Sequence, residues 1–174
     1  ESVPAPTSFR NVDRQEAILL ARRYASYRWT PTKRNIWHGY DEQGIRVDTP
    51  DEEFRSPGIR PGWWKPGIEN QGIPYQWGGF ATIEEFDQAL TNGFAAGDIL
   101  TTEKRAMLSE GRPTVSQAAT GIDASGLVSR CWKLDRNYTT RELEKFCTVL
   151  ESYDELKPGD ALNLSGVHVI LFEQ

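Results

Sequence analysis

The chain has little sulfur and little imidazole: its 174 residues include two cysteines, one methionine and two histidines. Two cysteines, Cys131 and Cys147, are too few for the disulfide framework of a small secreted domain. Two histidines far apart in the chain, His38 and His168, with no paired cysteines, give no zinc pattern, so neither a metal nor another cofactor is expected. No apolar run approaches the roughly 20 residues that span a bilayer, which argues against a membrane span. Positive charge is also in deficit: 20 Lys and Arg face 25 Asp and Glu, a formal net charge of −5. Phosphate binding favours a basic face, so nucleic acid is a poor partner, and no polybasic anchor for a membrane surface is present.

What remains is ordinary for a globular domain, with 38% hydrophobic and 26% charged residues and enough length to bury a sizeable core. The six tryptophans suit core packing first and carbohydrate stacking second. Residues 1–10, beginning Glu1-Ser2-Val3-Pro4-Ala5-Pro6, read as a flexible leader of the kind left when a targeting segment is removed. Asn11 or Asp13 then caps a helix reaching about Tyr27, which Pro31 forbids from continuing. Residues 29–75 are rich in Pro, Gly and Trp and lack periodicity. They read as long loops with one short hairpin, covering or shaping a cleft, so residues 11–71 form a helix-and-loop region ahead of a domain at 72–174.

Within that domain Thr82-Ile83-Glu84-Glu85 is a capping box, and Gly93 supplies the stop. A weaker helix follows Thr102, another runs from Ala124 through Cys131, and a second box, Thr139-Thr140-Arg141-Glu142, opens a helix to about Leu150. Lys157-Pro158-Gly159-Asp160 is a turn, after which 161–164 and 167–172 read as strands. Helices first and strands last give an α+β class.

Three segments carry chemistry: Pro74-Tyr75-Gln76-Trp77-Gly78-Gly79; Gly121-Ile122-Asp123-Ala124-Ser125-Gly126-Leu127-Val128; and Leu156-Lys157-Pro158-Gly159-Asp160 followed by Gly166-Val167-His168-Val169. In wording and order they resemble the NlpC-type cell-wall peptidases, a branch of the papain-like cysteine peptidases, over roughly residues 72–172. The resemblance implies a papain-like α+β fold in which a nucleophile-bearing helix packs on an antiparallel sheet. It implies a peptidoglycan hydrolase of the bacterial envelope, periplasm or exterior, cutting a stem-peptide amide bond by a Cys/His mechanism. The family's nucleophilic cysteine falls at Ala124, and its catalytic histidine at His168. A thiolate at a helix N-terminus is favoured by free amide groups and the macrodipole, and a strand-borne imidazole would take its proton. A methyl group cannot attack a carbonyl, so the chain as written is expected to be inactive. Ala124 is either a deliberate Cys→Ala change or the mark of a natural pseudoenzyme that binds wall fragments without cutting them. A papain-like amidase or acyltransferase acting on another substrate is a further alternative.

No neighbour replaces the missing thiol. Cys131 lies seven residues on, near the same helix face but about 10 Å along the axis, and reads as core, as does Cys147. Ser125 points about 100° around the helix from position 124. On the substrate side the resemblance assigns Tyr75, Asp123 and Ser125 to recognition of a free amino terminus, where a carboxylate pairs with an ammonium. Asp123 serves equally as a helix N-cap. Trp77 either walls the cleft or packs in the core. Residues 80–121 are an insertion relative to the family, capping the cleft or decorating the fold. His38 reads as a surface-loop residue. The polar group that orients the histidine in the family falls beyond Gln174, which would leave a truncated sheet with an exposed edge.

Overall fold

The computed structural model describes residues 11–145 and 147–174; the expected leader lies outside them. Contacts divide the chain into two compact units, one formed by 11–24 with Ala124–Gln174 and the other by Ala25–Asp123. These boundaries differ from the 71/72 division suggested by composition. Helices and small sheets are mixed throughout, an α+β arrangement: five helices and four two-stranded sheets among the described residues.

The first helix, α1 (Arg14–Ser26), starts where Asp13 Oδ1 accepts the amides of Gln15 and Glu16 at 2.8 and 3.2 Å, satisfying donors that have no intrahelical partner. The Ala25–Asp123 unit then opens with β1 (Arg28–Trp29), followed by the antiparallel hairpin β2 (His38–Tyr40) and β3 (Arg46–Asp48), and by β4 (Asn70–Gln71), which pairs with β1. Residues 29–75 are therefore more than a cover: they bury Trp29, Val47 and Trp64. Trp29 lies edge-on to Trp64 and to Phe86, with ring centroids 5.7 and 5.2 Å apart. The indole N–H groups donate to Gly72 O and Ala96 O, so the rings bury apolar area without stranding a donor. His38 is not a loop residue. It sits in β2, stacked on Phe54, with Nδ1 3.2 Å from Asp48 Oδ1 and Nε2 2.8 Å from Asp51 Oδ2.

Residues 80–121 belong to the same core. Helix α2 (Ile83–Thr91) has the full capping box, Thr82 Oγ1 receiving Glu85 N and Glu85 Oε2 receiving Thr82 N, and it buries Ile83 and Phe86. The parallel pair β5 (Ala95–Ala96) and β6 (Ala119–Thr120) flanks α3 (Thr102–Ser109), which Thr101 caps. This segment is a structural part of its unit, not a decoration.

In the other unit, α4 (Ala124–Cys131) packs on the antiparallel hairpin β7 (Ala161–Leu164) and β8 (His168–Leu171). Val128, Tyr138, Leu143 and Val169 form its core, with Ala124, Trp132, Ala161 and Leu171 against it. The Lys157–Asp160 turn is closed by Asp160 Oδ2, which accepts Lys157 N at 2.8 Å. Helix α5 (Thr140–Leu143) opens at Thr139, whose amide donates to Glu142 Oε2, but it does not reach Leu150. Among the described residues of this segment only Leu143 is buried, and Cys147, Val149 and Leu150 are exposed, so these positions give a longer helix no face to pack. Cys147 is thus a surface thiol, whereas Cys131 is core, its thiol pushed up to about 12 by burial.

Candidate functional site

In the Ala25–Asp123 unit, the segment Pro74–Gly79 runs beside Ile122: Ile122 N donates to Pro74 O at 3.1 Å, and Gln76 N donates to Ile122 O at 3.2 Å. A side chain at Gly121 would lie 2.4 Å from Pro74 O, so only glycine permits this approach. The pairing brings Tyr75 next to Asp123. Asp123 is nearly buried and its Oδ2 accepts Gly78 N at 2.9 Å. Burial and the Asp123 carboxylate raise the Tyr75 phenol well above its usual range, with Arg105 pulling the other way. Tyr75 is therefore a neutral hydroxyl, partly exposed, beside a fixed negative charge: a donor and an anion fit to receive an ammonium group.

Trp77 is half-buried, and its indole N–H donates to Thr114 Oγ1 at 3.0 Å. Gln76 Nε2 donates to Ser116 O and Ala119 O. The backbone of Asp98 meets the same segment, Asp98 N donating to Tyr75 O and Trp77 N to Asp98 O. Asp98 and its partner Lys104, both fully buried, belong to none of the three motifs. A signal was available: Lys104 stands three residues before Met107 on the buried side of α3, and a lysine in phase with an apolar stripe requires a buried anion.

In the other unit, Ala124 is the first residue of α4, half-buried against the Val128–Val169 core. Ser125 Oγ donates to Asn137 Oδ1 at 3.0 Å, an anchor to which sequence spacing gives no clue. His168 opens β8 opposite Leu164. Strand side chains alternate between faces, and Val169 and Leu171 take the face that packs on α4. His168 and Ile170 therefore leave from the other face, where both are exposed. A groove of about 1380 Å³ in this unit is lined by His168 and Ile170, and also by Val169, Ala161 and Trp132, but not by Ala124 or Ser125. The strand packs on the helix, yet this backbone phase does not aim the imidazole at position 124.

Among the described residues, no group of three or more His, Cys, Asp or Glu could hold a metal ion, and no helix is long and apolar enough to cross a membrane. In comparisons with protein-family models, curated proteins and solved structures, none matches the chain.

Proposed function

We propose that this chain is a papain-like domain of the peptidoglycan-hydrolase type, disarmed at position 124, which engages stem peptides and does not cut them. The observation that carries the proposal is the pairing of Tyr75 with Asp123 on the Ile122 ladder. It supports recognition of a free amino terminus without any contribution from a nucleophile. The placement of Ala124 at the start of a helix packed on an antiparallel hairpin supports the papain-like reading.

Within this proposal a binding protein is favoured over a latent enzyme, because His168 shares its face with Ile170 and not with the residues that pack on α4. The test is Ala124→Cys, incubated with a synthetic stem peptide containing a γ-D-glutamyl-diamino acid bond and read by mass spectrometry. Binding retained without cleavage supports the binding reading. Cleavage that disappears on adding His168→Ala establishes the Cys/His hydrolase instead, with His168 reaching position 124 after all. A folded protein that neither binds nor cleaves rejects both.

A further inference from the structure

The contacts around Pro74–Gly79 converge on one buried ion pair. Lys104 Nζ from α3 meets the Asp98 carboxylate, and neither side chain has any solvent exposure. The other carboxylate oxygen, Oδ1, accepts Asp48 N at 3.1 Å, so the Asp98 side chain is held from two directions. Its backbone in turn holds both sides of Gln76: Asp98 N donates to Tyr75 O at 2.9 Å and Trp77 N donates to Asp98 O at 2.8 Å. Gly97 allows this. Its φ is 88°, and a side chain there would lie 2.6 Å from Tyr75 O and 2.8 Å from Pro50 Cδ. The backbone at 97–98 lies against Tyr75 at a distance that excludes any residue but glycine at position 97.

We propose that Lys104 and Asp98 are positioning residues for Tyr75 and Trp77: α3 fixes Asp98 by charge, and Asp98 fixes the recognition segment by its backbone. A buried pair is weak ground for stability, because desolvation offsets much of the attraction and well-packed neutral residues often serve as well. What the pair adds is a defined location for one short backbone segment. Residues 80–121 thus act on recognition from within, through α3, and the functional consequence rests on the reading of Tyr75 and Asp123 given above.

The experiment uses the whole chain and site-resolved amide exchange, which reports local opening separately from global unfolding. The neutral double variant Lys104→Met/Asp98→Asn removes the pair without leaving a lone buried charge. The Trp77 amide is expected to exchange at least tenfold faster, while the Phe86 amide, bonded to Thr82 O inside α2 of the same unit, keeps its rate. Gly97→Ala, which leaves both charges in place, is expected to give the same signature at Trp77. Affinity for a stem peptide with a free amino terminus falls about tenfold in both variants. Unchanged Trp77 exchange in a folded double variant overturns the proposal, as does equal acceleration at Trp77 and Phe86, which would mean that the pair serves only the fold. If Trp77 opens selectively but the unaltered chain binds no stem peptide, positioning stands and the function proposed for Tyr75 and Asp123 fails.

Discussion

In the proposed recognition of a free amino terminus Asp123 and Tyr75 have different parts, and their substitutions separate them. The Asp123 carboxylate supplies the charge and, through Oδ2, holds Gly78 N. Asp123→Asn keeps an acceptor oxygen for that bond but removes the anion, so affinity for a stem peptide with a free amino terminus is expected to fall about tenfold or more, about 1.4 kcal/mol, the order of a charge-assisted hydrogen bond. Tyr75→Phe removes one neutral donor and is expected to cost less, about threefold, with N-acetylated peptide insensitive to either change. Isothermal titration calorimetry checks both. Sequence singles out Tyr75 and Asp123 because Pro-Tyr-x-Trp-Gly and the residue before position 124 are local patterns. Lys104 and Asp98 carry no such pattern, because a buried lysine is visible in sequence only through its phase on a helix. Asn137, which holds Ser125, meets it through tertiary folding that no spacing rule encodes.

Elements follow from the sequence where local chemistry decides them. The box at Thr82–Glu85 stands as expected, and Thr82→Ala is predicted to cost about 1 kcal/mol, by loss of the bond from Glu85 N; urea denaturation measures it. The box at Thr139–Glu142 shows the limit of the same rule. A cap sets where a helix starts, but its length follows from what its apolar face can bury, and among the described residues here that is Leu143. The strand at His168 shows another limit. Val167, Val169 and Leu171 alternate with His168, Ile170 and Phe172, so both faces carry apolar residues and sequence does not say which one meets the helix. The structure turns Val169 and Leu171 inward and leaves Leu162, Leu164 and Ile170 exposed.

At the scale of the molecule, composition marked loops, whereas contacts mark units, and in a Trp-rich segment these diverge. Residues 29–75 look irregular in sequence, yet Trp29, Val47 and Trp64 make them core. Burial also gives the Ala25–Asp123 unit a pH signature. Desolvation raises the Asp98 carboxyl from 3.8 to about 6, against the lowering effect of Lys104. Between those values the folded chain holds more protons at this group than the unfolded chain does, so its contribution to stability is full below pH 3.8 and declines as pH rises through about 6. Lys104→Met removes the lowering influence and is predicted to shift the Asp98 titration further upward, followed by the carboxyl carbon resonance of Asp98 and by stability against pH.

In the proposed function this chain recognises a stem peptide through Tyr75 and Asp123 and does not cut it. Calorimetry of the unaltered chain with a synthetic γ-D-glutamyl-diamino acid peptide tests it most directly, with the recovered peptide weighed by mass spectrometry. The expected result is saturable binding that N-acetylation of the peptide weakens at least tenfold, with the peptide recovered intact. No heat of binding from a folded protein, or equal affinity for the acetylated peptide, would contradict it.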